Sequence, residues 1–284
     1  MITRRLLTST TLYAVLSLSI IAFLPARSAA WGAKGHQTIA RIAMDRLSKN
    51  ARQSVAGLLN PGETLETVST WADLMKLKRK DTTTWHFVEI SLKYGDYDRS
   101  RDCKKGTCII DAIENQIGIL KNTRNGTVER ADALKYLVHL IGDLHQPFHV
   151  TTNEDPPDAG ASRVRVTFLN GPPTSLRKVW DDDLINYTLK RSNLSVAQYA
   201  AELGGRGRMT QSGYTSTQGS VRDWALETHR LAWRAYYLGK DFMYVNPTTW
   251  PIDETYYKQN RAVAENQLFL AGIRLAKTLN DIFG

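Results

Sequence analysis

Cysteine is scarce. Of 284 residues only Cys103 and Cys108 carry a thiol. Two thiols with no histidine nearby in sequence make a poor zinc site. In an oxidising compartment they close a small loop, with free thiols or metal ligands as the alternatives. Long apolar runs are scarce too. The stretch from Leu12 to Leu24 is too short to span a bilayer comfortably. There is no internal repeat, low-complexity tract or long linker, which leaves one globular domain rather than an array or a tethered pair.

Acid is in deficit as well. The formal charge is +9, a hint of an anionic partner such as nucleic acid or phospholipid headgroups. Part of that excess sits in the first thirty residues. Arg4 and Arg5 precede the apolar run, and Pro25-Ala26-Arg27-Ser28-Ala29-Ala30 supplies small residues of the kind a signal peptidase reads. Residues 1–30 therefore read as a secretory signal, an uncleaved membrane anchor being the alternative. Its removal would leave residues 31–284 starting at Trp31 and carrying a net +6, since Arg4, Arg5 and Arg27 leave the 37 basic residues while all 28 acids remain. Such a chain is exported to the periplasm or secreted, with no stable membrane association.

What is present is mostly helical. Ile39, Ala40, Ala43, Met44 and Leu47 share one face of a segment from His36 to Leu47. Further helices are expected over Val55–Leu59, Val68–Leu77, Ile109–Leu120, Leu226–Leu238 and Ala262–Phe283. Ala131 to Leu144 is apolar almost all round, as in a buried helix. One stretch has period two: Val164, Val166 and Phe168 alternate with Arg163, Arg165 and Thr167. Asn170-Gly171-Pro172-Pro173 turns the chain, and Leu176 to Trp180 reads as the returning strand. The expectation is a mainly α, single-domain fold carrying a small β-hairpin.

Histidine is rare, yet three of the six lie within Leu137–Val150. His139 and Asp143, four apart, share one helix face. A carboxylate in a buried helix costs several kcal/mol unless a cation or donors meet it, and a metal would do so. Pro147 ends the helix and lets His149 approach from another direction. Asp73 in Thr70-Trp71-Ala72-Asp73, His86 in Thr84-Trp85-His86, His36 and Asp181 are further candidate ligands.

Taken in order, Trp31-Gly32-Ala33-Lys34-Gly35-His36, Trp71-Ala72-Asp73, Trp85-His86-Phe87, Gly142-Asp143-Leu144-His145-Gln146-Pro147-Phe148-His149 and Val179-Trp180-Asp181 resemble the zinc-dependent single-strand nucleases of the S-one/P-one type, relatives of bacterial zinc phospholipase C. The match runs over nearly the whole mature chain, and the short-loop disulfide of that family is matched by Cys103 and Cys108. The resemblance implies a zinc cluster in which Asp73, His86, His139 and Asp143 hold one ion. Trp31, through its free amine and carbonyl, holds another with His36, and Asp143 bridges the two. A third ion would use His149, a histidine four residues before Asp181, and Asp181. Here that histidine is Arg177, which has no lone pair to give. Two zincs are expected, with the third site impaired or its charge role taken over by Arg177. The family's Arg-Gly-Gly-Asn appears as Ala159-Gly160-Ala161-Ser162, so the shorter Ser162 stands where an amide donor to the transition state is implied. The resemblance also places Phe87 to stack on a base, and Glu89 to read its edge, in a pocket that favours single strands. His145 is expected to support the site without ligating, and His229 to pack on its helix.

The implied activity is hydrolysis of single-stranded DNA or RNA to 5′-phosphate ends by a monomer. A phospholipase C is the alternative within enzymes, although that branch ends the last motif in Glu rather than Asp181. A pseudoenzyme that binds nucleic acid or nucleotides without cutting is the alternative outside them.

Overall fold

The structure is a computed structural model that describes residues 31–104, 106–209, 216–236 and 249–284. The expected export signal, residues 1–30, lies outside that set, as do the last two residues of the helix expected to end at Leu238. Among the described residues no helix is long and apolar enough to cross a membrane.

The architecture is mainly α, as expected. Its principal helices are α1 (Ala33–Met44), α2 (Lys49–Leu58), α3 (Trp71–Lys78), α4 (Ile109–Lys121), α5 (Thr127–Leu144), α6 (Leu184–Ser192), α7 (Val196–Met209), α8 (Val221–Tyr236) and α9 (Glu254–Phe283). Local chemistry sets several starts. Ser48 Oγ accepts the Ala51 N–H at 3.1 Å and caps α2, and Asp253 Oδ1 accepts the Thr255 and Tyr256 N–H groups to cap α9.

At the centre lies α5, in which every residue from Ala133 to Leu144 is buried. It packs between α4, α1 and α9. Ile39, Ala40, Ile42 and Ala43 of α1 and Leu268, Leu275 and Leu279 of α9 close the same core. Because α5 has no solvent face from Ala133 to Leu144, any polar group there must be satisfied inside the protein. This is what makes His139 and Asp143 informative.

Two small sheets frame the region after α5. In the first, β1 (Ile90–Ser91) runs parallel to β2 (Thr151–Thr152). In the second, β3 (Arg165–Phe168) pairs antiparallel with β4 (Pro173–Ser175), and β5 (Trp250–Ile252) adds in parallel on the other side of β3. The hairpin is therefore real, but its returning strand is misplaced in the sequence reading. It is Pro173–Ser175, and Leu176 to Trp180 is helical. Ser175 Oγ accepts the Lys178 N–H at 3.1 Å and turns the chain into a helical turn, Leu176–Lys178, that widens into a π-type turn over Val179–Asp183. Cys103 and Cys108 form a disulfide.

The contact of α1 with α9 is close enough to exclude a methyl group. A Cβ on Gly272 would lie 2.4 Å from Ile42 Cγ2 and 2.6 Å from Ile42 Cβ. Helix propensity favours Ala over Gly by up to about 1 kcal/mol, whereas overpacking costs about 1–3 kcal/mol. Gly272→Ala is expected to destabilise the protein, measured as a lower urea midpoint at unchanged slope. A raised midpoint would show that the helix pair has room to separate.

Candidate metal centre

Four elements converge on one face of α5. Its i,i+4 pair His139 and Asp143 faces His36 from α1, Asp73 from α3 and His86 from the 3-10 turn Lys80–His86. His36 Nε2 lies 3.2 Å from Asp143 Oδ1, His139 Nε2 lies 3.2 Å from Asp143 Oδ2, and His86 Nδ1 lies 2.8 Å from the same oxygen. Asp73 Oδ1 lies 3.5 Å from His139 Nε2 and 3.8 Å from His86 Nδ1. The His36 and His139 rings stack with centroids 4.1 Å apart. Gly142 is needed for that approach, since a Cβ there would sit 2.8 Å from His36 Nδ1.

The electrostatics of the cluster call for a cation. The His139 Nδ1–H donates to the Ser69 carbonyl at 2.8 Å, so in the neutral ring the Nε2 lone pair points at two carboxylates. Burial alone would hold His139 unprotonated. Asp143 and Asp73 outweigh it and raise His139 to about 10. Burial opposes ionisation of Asp143 and Asp73 too, but His139 holds both well below the usual carboxylate range. Burial lowers His36 and His86, so they stay neutral. One proton on His139 then serves both carboxylates; Lys76 adds a cation beside Asp73, while Asp143, fully buried, has only the shared proton and neutral rings to meet its charge.

The donor set fits a metal. His36 Nε2, Asp73 Oδ2, His86 Nε2, His139 Nε2 and Asp143 Oδ1 are buried with no hydrogen-bond partner. Ligand atoms of His36, His139 and Asp143, and separately those of Asp73, His86 and His139, lie within 4.8 Å of one another. Imidazole nitrogen with carboxylate oxygen is a set suited to zinc. Trp31, fully buried, packs against Trp180 at 6.4 Å, and the Gly32 N–H donates to the Asp181 carbonyl at 2.5 Å. Trp31 and Gly32 are thus tied to the turn carrying Asp181.

His149 and Asp181 stand apart. His149 Nε2 is 3.8 Å from Asp181 Oδ1, but each group is already met by a donor. The His149 Nδ1–H donates to the His86 carbonyl at 2.7 Å, which leaves Nε2 as acceptor, and Arg177 Nη2 donates to it at 2.5 Å. Gln146 Nε2 donates to Asp181 Oδ1 at 2.5 Å, and Arg177 Nε faces Asp181 Oδ2 at 3.8 Å. Burial and the Arg177 charge together push His149 well below its ordinary range. The guanidinium is pinned further by Nη1, which donates to the Phe148 carbonyl at 2.7 Å.

A cavity of about 290 Å³ opens over this face, lined by Lys76, Phe87, Glu89, His149, Ser162 and Arg177 among others. Phe87 and Glu89 also line a neighbouring cavity of about 750 Å³ that reaches Lys104 and Arg163. Phe87 is half-buried at the wall rather than in the core. His145 faces away: Nδ1–H donates to the Ile141 carbonyl and Nε2 accepts from Arg274, and burial together with that cation lowers it to about 3. His229 bridges Thr151 Oγ1 and the Tyr94 carbonyl, a packing role as expected.

The sequence reading missed Lys76 and Gln146. Lys76 Nζ reaches Asp73 Oδ1 at 2.5 Å and lines the cavity. Its signal was the i,i+3 spacing from Asp73. Gln146 lay inside the histidine motif, with nothing in sequence to say that it meets Asp181.

Comparisons with known proteins agree with this arrangement. The family model described as S1/P1 Nuclease matches residues 31–284. Nuclease S1 of Aspergillus oryzae is 31% identical over 278 residues, covering 89% of this chain and 91% of that protein. Endonuclease 3 of Arabidopsis thaliana is 29% identical over 284 residues, covering 95% and 94%. Nuclease P1 of Penicillium citrinum is 31% identical over 158 residues, covering 53% and 57%.

Ligand binding to the folded state alone stabilises it by about 2.7 kcal/mol at a hundred times the dissociation constant, which is about 5–10 °C for a domain of this size. Chelation is therefore expected to lower the melting temperature by that order, zinc to restore it, and Asp143→Asn to abolish the shift. A melting temperature indifferent to chelator would remove the metal from the account.

Proposed function

The chain belongs to the S1/P1 nuclease family and is a hydrolytic nuclease, and we propose that it cleaves single-stranded DNA or RNA to 5′-phosphate ends with two zinc ions rather than three. The observation that carries this reading is the buried cluster around Asp143, in which His36 Nε2, His86 Nε2, His139 Nε2 and Asp143 Oδ1 have no hydrogen-bond partner.

Asp73, His86, His139 and Asp143 would hold one zinc. Trp31, through amine and carbonyl, would hold the other with His36, and Asp143 would be shared. Bound there, zinc would supply Lewis acidity and lower the pKa of water toward neutrality. The remaining work falls to the chain. Arg177, a fixed planar cation at the cavity wall, contacts the phosphate in place of a third ion. The Ser162 hydroxyl, exposed at the mouth, donates to a phosphate oxygen, weakly beside an amide. Phe87 stacks on a base and Glu89 accepts from a base amino group. A paired base hides its face, so single strands are preferred. Residues 1–30 act as a signal whose removal frees the Trp31 amine. An amide nitrogen there could not ligate, so export to the periplasm or exterior and activity are coupled by one cut. The mature enzyme, residues 31–284, works as a monomer.

The test is hydrolysis of single-stranded DNA and RNA by the chain beginning at Trp31, with and without chelator. Chelator-sensitive cutting is expected, with loss of at least about tenfold when one extra residue precedes Trp31. A folded, zinc-loaded chain that binds but does not cut single strands would instead indicate a binding protein.

Arg177→His supplies the missing lone pair. It is expected to raise bound zinc from two equivalents to three, measured by elemental analysis. An unchanged count would show that the guanidinium is not what excludes the third ion.

A further inference from the structure

Asp158 is a carboxylate with no exposed surface. None of the chemistry above uses it. Oδ1 accepts from Thr152 Oγ1 at 3.2 Å and from the Asn153 backbone N–H at 2.9 Å, and Oδ2 accepts from Tyr236 Oη at 2.5 Å. The backbone completes the closure: the Asp158 N–H donates to the Asn153 carbonyl and the Arg163 N–H to the Asp158 carbonyl, each at 3.1 Å. A whole loop is thereby folded onto one buried acid.

The next three residues all lie in the left-handed region, Ala159 at φ 53°, Gly160 at 59° and Ala161 at 58°. Two of them are alanines, for which this region is unfavourable, so the conformation persists only because its surroundings impose it. The turn is pressed against Arg177. The Arg177 N–H donates to the Ala161 carbonyl at 3.4 Å, and Nη1 reaches the Gly160 carbonyl at 3.5 Å. A Cβ on Gly160 would lie 2.7 Å from Arg177 Nη1 and 2.4 Å from the Phe148 carbonyl oxygen, so only glycine permits the approach. Tyr236 also governs that other carbonyl. Its ring meets Phe148 edge-on at 4.8 Å, and the Phe148 carbonyl accepts from Arg177 Nη1 at 2.7 Å.

We propose that Asp158 and Tyr236 are positioning residues that aim the Arg177 guanidinium at the scissile phosphate. This rests on the role given to Arg177 above. The clamp acts through two carbonyls. Tyr236 fixes Phe148 by its ring and the 159–161 turn by its hydroxyl through Asp158, and together with His149 these carbonyls hold an otherwise flexible side chain. Gly160, Phe148 and His149 take three of the five guanidinium N–H donors, Nε faces Asp181 Oδ2 at 3.8 Å, and one Nη2 N–H is left for a phosphate oxygen.

The test is a double-mutant cycle on the zinc-loaded mature enzyme, with single-stranded DNA as substrate and inorganic phosphate as competing ligand. Tyr236→Phe removes one buried hydroxyl and keeps the ring. It is expected to lower kcat/KM about tenfold and to weaken phosphate inhibition similarly, at unchanged zinc content. On an Arg177→Ala background the same change should cost nothing further, because its route is already gone. Asp158→Asn serves as the second variant should Tyr236→Phe fail to fold, with the same non-additivity expected. Additive losses, or full activity in both variants, would overturn the proposal while leaving the nuclease reading intact. A wild-type chain that neither cleaves nor is inhibited by phosphate would overturn both.

Discussion

The rest of the structure depends on one electrostatic conflict. The Ser69 carbonyl takes the Nδ1 proton of His139, so the ring's other lone pair faces the Asp73 and Asp143 carboxylates inside a helix with no water around it. Within the cluster the proton on His139 and the Lys76 ammonium beside Asp73 offset the two carboxylates, and the fully buried Asp143 has no cation of its own. Three elements beside α5 bring further lone pairs to the same spot: α1 through His36, α3 through Asp73 and the following turn through His86. A protein gains nothing in stability by concentrating unpaired acceptors in its core. The arrangement makes physical sense as a receptacle for divalent cations.

Beside this receptacle, where His149 Nδ1 lies 3.9 Å from Asp143 Oδ2, the chain changes strategy. At His149 and Asp181 a cation is already present, but it is covalent: the Arg177 guanidinium satisfies the His149 lone pair and faces the Asp181 carboxylate. A metal ion and an arginine can both neutralise a phosphate, but they differ in control. An ion sits where its ligands converge, whereas a long side chain must be held. The carbonyls of Phe148 and Gly160 and the strained Ala159–Ala161 turn do the holding here. The same segment that departs from the family in composition thus has a geometric partner in the other departure, Arg177.

Much of this was legible in the sequence, for physical reasons. An all-round apolar helix carrying a histidine and an aspartate one turn apart cannot be stable without compensation, so His139 and Asp143 announced the site. The hairpin was half legible. Alternation marked β3, but Leu176, Val179 and Trp180 are spaced three and four apart, a helical interval, and Ser175 is a helix-capping residue. The turn at Asn170–Pro173 drew attention past that signal. Helix α6 went unread, although Asn193 ends it with a left-handed φ of 52°. The early turns of α9 went unread because its buried stripe, though helically spaced, runs through Tyr256, Tyr257 and Asn260, whose polar groups do not mark an apolar face. Contacts between side chains far apart in sequence, such as Gln146 with Asp181 or Tyr236 with Asp158, leave no mark that a single sequence can show.

The most direct measurement is anomalous diffraction at the zinc edge from crystals of the mature chain grown with zinc. Two peaks flanking Asp143, and no peak between His149 and Asp181, with Arg177 still donating to His149, is the expected result. A third peak at His149 and Asp181 with the guanidinium displaced, or no density beside Asp143, would contradict the account.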